Sequence, residues 1–145
     1  MSVKLSPAME DYLKVIYLIE KESKVARVSE ISRRLSVRKA SVVAAVRLLQ
    51  RNSLLTHEKY GYISLTEAGK EEAGRIIKKG DIMLSFLIDV LKIPREKAVK
   101  EACDAEHSFS EETAAKIAEL VRQASKPLKP VKPTRTAKKS KKSRK

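Results

Sequence analysis

Three residues near the end of the chain could together bind a metal ion: Cys103, Glu106 and His107. They lie at offsets of zero, three and four, so a helix would place their side chains on one face. A thiolate, a carboxylate and an imidazole are ligands that suit transition-metal dications. Taken singly, the cysteine is more often an inert core thiol and the histidine a satisfied structural residue. Their spacing nevertheless predicts a metal site that leaves room for a further ligand.

Positive charge is concentrated in two parts of the chain that should surround this site. The 145 residues carry a formal net charge of +14, and residues 126–145 hold ten Lys and Arg and no acid. Residues 24–59 form a second basic region, whereas residues 80–125 are acidic. Such asymmetry predicts a polyanionic partner.

The composition also argues against several classes of protein. The chain has 42% hydrophobic residues, enough for a core, but no apolar run near 18 residues, so we expect no membrane segment and a cytoplasmic location. A single cysteine excludes an internal disulfide. With no Trp and six Tyr and Phe residues, an RNA-stacking platform is improbable.

Capping residues and hydrophobic periodicity predict a mostly helical fold. Ser6-Pro7 should begin a helix, Ser29 should cap a second, and a third should run from about residue 39 to 52. A tight turn at Ser36 joins the second and third helices. This is the helix-turn-helix arrangement.

The exposed side of the third helix is predicted to bind double-stranded DNA. Its small apolar groups suit thymine methyls in the major groove, and its Arg and Lys side chains would neutralise phosphates. The alternative is an ordinary polar helix face. The predicted contact residues on this side are Arg38, Lys39, Ser41, Val43, Ala44 and Arg47, and Arg33 and Arg34 of the second helix would add phosphate contacts.

Two short alternating runs, residues 54–58 and 62–65, predict a β-hairpin directly after the third helix. A hairpin in this position is a wing, and Lys59 and Tyr60 at its tip should touch the DNA backbone. A surface hairpin without a DNA role is the alternative.

The remaining residues predict a second, all-α unit. Thr66 should cap a helix that passes Gly80, which would be either a kink or a break. The short helices that follow cannot enclose much core alone, so we expect them to pack against a second copy. We therefore divide the chain into a winged-helix domain (1–70), a helical metal-binding and dimerisation domain (71–125) and a disordered basic tail (126–145). The tail would add non-specific contacts to DNA or be simply solvated.

The order of these elements, with Met9-Glu10-Asp11-Tyr12-Leu13 at one end and Cys103-x-x-Glu106-His107 at the other, resembles the diphtheria toxin repressor family. The resemblance covers about residues 5–124 and implies a homodimer that binds a palindromic operator when loaded with a divalent metal. The barrel domain of the family's iron-dependent branch would be missing, with the lysine-rich tail in its place.

The resemblance implies that Asp11, Cys103, Glu106 and His107 are the metal ligands. Asp11 is typical of the manganese-dependent branch and Cys103 of the iron-dependent branch, so the chain is a hybrid. Lys14 and Gly80 replace two further ligands of the family. We therefore expect one ion per chain, with Fe(II) favoured and Mn(II) or Zn(II) as alternatives.

Three other functions remain open on the sequence alone. A winged-helix DNA-binding protein without metal control would suit the basic tail, and a redox regulator would use Cys103 as its sensor. A metalloenzyme would need an open coordination position and a general base. No catalytic motif accompanies the ligand set, so we expect no enzyme.

Overall fold

The computed structural model describes residues 4–22, 24–58 and 61–125. These contain six α-helices, a two-stranded antiparallel sheet and one π-helical turn, which confirms the predicted mostly α architecture with a small hairpin. In chain order the elements are α1 (Pro7–Lys21), α2 (Val28–Leu35), α3 (Lys39–Arg51), β1 (Leu55–His57), β2 (Ile63–Leu65), α4 (Glu67–Ser85), the π-helical turn (Phe86–Val90), α5 (Arg95–Ala105) and α6 (Glu111–Ser125).

Two of the predicted helix caps are present and one is not. The Ser6 hydroxyl accepts a hydrogen bond from the Met9 amide at 3.2 Å, and the Thr66 hydroxyl accepts one from the Gly69 amide at 3.0 Å. The prediction that Ser29 caps α2 is wrong, because α2 begins at Val28 after an extended Arg27 that makes no side-chain cap.

Helices α1, α2 and α3 pack together around one hydrophobic core. Leu13, Ile16, Ile31, Val42 and Leu49 have no exposed surface, as expected from their spacing on three amphipathic helices. The turn between α2 and α3 is built by Ser36, which adopts the left-handed conformation at φ 56° and ends α2. This turn allows α3 to follow α2 in a different direction.

The hairpin is joined to α1 as well as to α3. Strand β1 pairs with β2 in the register Leu55 with Leu65 and His57 with Ile63. The Glu20 carboxylate on α1 accepts a hydrogen bond from the Leu65 amide at 2.9 Å. The predicted wing-tip residues Lys59 and Tyr60 lie outside the described residues.

Helix α4 connects the two parts of the chain without a break. It is helical from Glu67 to Ser85, through Gly80, and then passes into the π-helical turn, so Gly80 does not interrupt the helix. It packs against α1 on one side and against α5 and α6 on the other. The predicted domain boundary at residue 70 falls inside this helix.

The second hydrophobic core is small. It contains Leu87, Ala98 and Ala102, with partly buried Phe86 and Ile93 against them. In α6, Ala114 is buried, whereas Leu120 is 50% exposed. The predicted tail, residues 126–145, lies outside the described residues. Within the described ranges, no helix is long and apolar enough to cross a bilayer.

Candidate metal centre and DNA-binding face

The candidate metal centre lies where α1 meets the carboxyl end of α5. Helix α1 contributes Glu10, Asp11 and Lys14, and the residues that follow α5 contribute Glu106 and His107. Helix α5 ends at Ala105, so His107 lies in the following turn and not on the helix itself. The centre therefore joins the part of the chain that contains α1 to α3 to the second helical unit.

Three side chains converge closely enough to hold one ion. One ligand atom each from Asp11, Glu106 and His107 lies within 4.8 Å of the others. The His107 Nε2 atom is 3.0 Å from Asp11 Oδ1 and 3.6 Å from Glu106 Oε2. Nitrogen and carboxylate-oxygen donors are suitable ligands for a first-row divalent metal, so the residues present fit such an ion.

The orientation of the His107 ring is set by Glu10, which the sequence reading missed. The two are linked at 2.6 Å between His107 Nδ1 and Glu10 Oε1. When Nδ1–H donates to this carboxylate, Nε2 carries the lone pair that faces Asp11 and Glu106. Glu10 directly precedes Asp11 in the predicted motif, but its contact with a residue 97 positions away has no local signature.

Lys14 contacts the same Glu106 oxygen that lies near the His107 ring. Its ammonium donates to Glu106 Oε2 at 2.5 Å. Burial alone would lower the pKa of Lys14. The hydrogen bond to Glu106 and the nearby charges of Glu106, Cys103 and Asp11 outweigh this effect, so the pKa of Lys14 is raised above its ordinary value of 10.5. Burial raises the pKa of the Glu106 carboxyl above 4.5, and Lys14 opposes this shift. The pair is thus a buried carboxylate held by an ammonium.

The structure does not place Cys103 among the three converging ligand atoms. Its thiol is exposed and lines a cavity of about 200 Å³ together with Lys14, Gly80, Glu106 and the apolar residues of α4 and α5. The structure therefore brings together three residues of the predicted ligand set, Asp11, Glu106 and His107. Cys103 lines the neighbouring cavity with Lys14 and Glu106.

Gly80 makes room for the Glu106 carboxylate. A Cβ atom at position 80 would overlap Glu106 Oε1, so a larger residue there would require this carboxylate to move.

The predicted DNA-contacting residues of α3 lie on its outer side. Arg38, Lys39, Ser41, Ala44 and Arg47 are exposed, and Val43 is half-buried. The opposite side of α3 is formed by Val42, Ala45, Val46 and Leu49, which are buried against α1 and α2. The exposed side is therefore free to enter a DNA groove.

The two arginines predicted on α2 have partners within the protein. Arg34 forms hydrogen bonds to Glu22 at 2.6 and 2.9 Å and to Glu30 at 2.7 Å, and Arg33 binds Glu30 at 2.6 Å. These contacts tie α2 to the end of α1. The guanidinium of Arg34, which was predicted to contact DNA, is thus bound within the protein.

Two family models together match nearly all of the described chain. Residues 4–63 match the family described as iron dependent repressor, N-terminal DNA binding domain. Residues 66–127 match the family described as iron dependent repressor, metal binding and dimerisation domain. The chain belongs to the diphtheria toxin repressor family. This confirms the resemblance drawn from the two terminal motifs.

Individual family members show the same likeness. The chain is 35% identical over 109 residues to the HTH-type transcriptional regulator MJ0568 of Methanocaldococcus jannaschii, covering 74% of this chain and 87% of that protein. It is 32% identical over 117 residues to MntR of Bacillus subtilis, covering 81% of this chain and 82% of MntR.

A solved family member has the same fold. The crystal structure of IdeR from T. acidophilum superimposes with a TM-score of 0.67 at 31% identity, over 83% of this chain. The chain spans 55% of the length of that structure. In this family, whose members are transcriptional regulators and not enzymes, the matched regions are a DNA-binding domain and a metal-binding dimerisation domain.

Proposed function

We propose that the protein is a repressor that binds a palindromic DNA operator as a homodimer when a divalent metal ion occupies the α1–α5 centre. One observation carries this proposal: Asp11 on α1 lies within 4.8 Å of Glu106 and His107 after α5. The same centre thus contains groups from the DNA-binding domain and from the dimerisation domain. A ligand held there would couple the two.

The function of the residues is geometric. When bound, a dication supplies a centre to which both carboxylates and the imidazole can coordinate. Asp11 then ties α1 to the dimerisation domain, and α1 packs directly against α3. Fixing α1 in each protomer would fix the two α3 helices about 34 Å apart, as a two-fold operator requires. Metal binding and operator binding would be linked because both favour this arrangement.

Cys103 is proposed as an additional ligand, which keeps the predicted set of Asp11, Cys103, Glu106 and His107. It lies one helical turn before Glu106, at the same end of α5. A thiolate would favour Fe(II), Co(II) or Zn(II), while two carboxylates allow Mn(II). We favour Fe(II) as the physiological ion, with Mn(II) and Zn(II) as competitors. The exposure of the thiol also suits a redox sensor, which metal-free protein would reveal by peroxide-dependent DNA binding.

A single ion per chain is proposed because a cation already lies beside Glu106. The Lys14 ammonium, 2.5 Å from Glu106 Oε2, would repel a second dication on that side. Gly80 offers no ligand atom from α4, and its lack of a side chain is what admits Glu106.

DNA contacts are assigned to the outer side of α3 and to the wing. Arg38, Lys39 and Arg47 would contact phosphates, while Ser41, Val43 and Ala44 would face the base edges. Arg33, Lys59 and Tyr60 would add backbone contacts. Arg34 is the least suited of the predicted set because Glu22 and Glu30 already bind it. The basic tail would add sequence-independent attraction that salt weakens.

Dimer formation is assigned to the second helical unit. Its core is small, and Leu91, Val99 and Leu120 are 49%, 40% and 50% exposed. Burial of such residues against a second copy would supply the apolar contact area that the unit lacks.

Metal titration of the purified chain tests the site. We expect one equivalent of Mn(II), or of Fe(II) under anaerobic conditions, to bind the wild-type protein by calorimetry. Asp11→Ala and His107→Ala should each weaken that binding by at least about tenfold, because each removes one of the few ligands. Asp104→Ala is the matched control, since this carboxylate lies next to Cys103 on α5 but is 75% exposed beside Lys100. Equal weakening in the control, or none in the two site variants, would refute the assignment.

A further inference from the structure

Lys14 places a positive charge inside a group of acidic and metal-ligating side chains. Its Nζ atom is 2.5 Å from Glu106 Oε2, and that same oxygen is 3.6 Å from His107 Nε2. We propose that Lys14 is the resident cation of this centre, which holds Glu106 while no metal is bound and which a divalent ion must displace from that carboxylate. The inference rests on the proposed metal function and adds how access to the site is controlled.

The Lys14–Glu106 pair is built into the packing and is not a surface contact. Glu106 is 2% exposed, and the pair spans 92 positions of sequence between α1 and the end of α5. Gly80 of α4 provides the space for the second carboxylate oxygen, Oε1. A buried carboxylate without a counter-charge is unfavourable, so Lys14 stabilises the metal-free fold.

The geometry makes the ammonium and a metal ion compete for one atom. Glu106 Oε2 is the oxygen that faces both Lys14 and the His107–Asp11 side of the centre. Two cations close to the same oxygen repel each other, more strongly in a partly buried site than in water. An ion bound by His107, Asp11 and Glu106 therefore weakens the Lys14 contact.

The structure has space for the Lys14 side chain when Glu106 is engaged by a metal. Lys14 lines a cavity of about 200 Å³ whose walls include Leu18, Ile77 and Leu84, and Asp81 lies on the same wall. The lysine stem can pack on apolar surface while its ammonium remains near an acid. Asp81, which lines the same cavity, would offer the displaced ammonium another carboxylate.

Lys14 would consequently set the metal concentration at which the protein responds. The free energy needed to release the ammonium from Glu106 is subtracted from the metal-binding free energy. A neutral side chain at position 14 would remove this cost in the metal-bound form and leave Glu106 uncompensated in the metal-free form. Affinity and metal-free stability should therefore change in opposite directions.

The test compares Lys14→Met with the wild-type full chain by calorimetric titration with Mn(II) and by thermal unfolding with and without the ion. We expect Lys14→Met to bind Mn(II) about tenfold more tightly or better, because a nearby positive charge is lost. Its metal-free Tm should be lower, and the rise in Tm on adding Mn(II) should be larger than in the wild type. Lys21→Met is the matched control, since Lys21 is exposed two turns along α1.

Two outcomes would overturn the inference. Unchanged Mn(II) affinity in Lys14→Met would show that the ammonium does not compete, and equal loss of Tm with and without metal would show a purely structural role. Lys14→Gln, which is neutral but can still donate to Glu106, provides the measurement if Lys14→Met does not fold, with tighter binding again expected. Failure of wild-type protein to bind Mn(II), Fe(II) or Zn(II) would instead refute the proposed function and this inference with it.

Discussion

Glu106 is the residue on which the candidate centre depends most. It is buried, it accepts a hydrogen bond from Lys14, and one of its oxygens faces His107. Its carboxylate therefore links a positive charge of the DNA-binding domain to the imidazole of the dimerisation domain. His107 is oriented in turn by Glu10 on α1. Four side chains from two separate parts of the chain are thus interdependent.

Glu10 should control metal affinity although it is not a ligand. In Glu10→Gln, the His107 ring loses a charged acceptor at Nδ1, and its Nε2 atom becomes a weaker donor to a metal. We expect an affinity for Mn(II) reduced by about 10- to 100-fold, with unchanged stoichiometry, by calorimetric titration. Glu112→Gln, at an exposed position of α6, should bind as the wild type does. Undiminished affinity in Glu10→Gln would contradict the role given to Glu10.

Cys103 is the one residue of the predicted ligand set that does not converge with the others, and its role as a ligand is a proposal. In Cys103→Ser, loss of the soft thiolate should reduce affinity for Zn(II) more than affinity for Mn(II), because Mn(II) prefers oxygen donors. Competition between the two ions in one titration measures this ratio. An unchanged ratio would remove Cys103 from the site.

At the scale of the elements, the basic residues of α2 and α3 differ in whether they have partners within the protein. Arg38 and Lys39 at the start of α3 are exposed, whereas Arg34 on α2 is bound by Glu22 and Glu30. Their substitution should thus have separable effects.

Substitution on α3 should weaken DNA binding without changing the fold. We expect Arg38→Ala and Lys39→Ala each to lower the slope of log affinity against log salt by about one, because each removes one phosphate contact. Their Tm values should equal that of the wild type. Lys97→Ala on α5 is the charge-matched control. A normal salt slope in both α3 variants would exclude this face as the DNA contact.

Substitution of Arg34 should instead reduce stability in a pH-dependent way. Hydrogen bonds from Arg34 hold the pKa of the Glu22 and Glu30 carboxyls below 4.5. Since these pKa values are lowered on folding, the stabilisation is present above pH 4.5 and is lost as the pH falls through the folded values. In Arg34→Ala, the free energy of unfolding should be lower at pH 7 and should converge on the wild-type value in acid. Urea unfolding at several pH values measures this difference. If Arg34 had no such role, the difference in unfolding free energy between Arg34→Ala and the wild type would not change with pH.

Much of this element structure could be predicted from local signals. Ser6-Pro7 and Thr66 mark the starts of α1 and α4, and the apolar spacing of α3 identifies its buried side. The cap predicted at Ser29 fails because the extended backbone of Arg27 already begins α2. The continuity of α4 through Gly80 could not be predicted locally, because the residue that this glycine approaches, Glu106, lies on another element.

The candidate site was predictable only in part, because several of its contacts join residues that lie far apart in the sequence. The residue types and spacing of Asp11, Glu106 and His107 point to metal chemistry, and the structure brings these three together. Neither the Glu10–His107 contact nor the Lys14–Glu106 pair has a sequence signature, because each joins residues more than 90 positions apart. Cys103 shares the predicted helix but faces the cavity beside Lys14.

At the scale of the whole molecule, the two helical units are connected at two places. Helix α4 joins the two units covalently, and the Asp11, Glu106 and His107 side chains join them a second time through α1. A metal ion at the second junction would restrict how the winged-helix domains of a dimer are placed relative to each other. Operator affinity should then depend on metal although the ion does not contact DNA.

DNA binding with and without metal tests this claim most directly. Duplexes would be selected from a random pool by the Mn(II)-loaded or anaerobic Fe(II)-loaded full chain, and the selected duplex would be titrated at fixed salt with metal or with chelator. We predict a two-fold symmetric sequence bound about 100-fold more tightly with metal, and no such dependence in His107→Ala. Equal affinity of the wild-type protein with metal and with chelator would contradict the account.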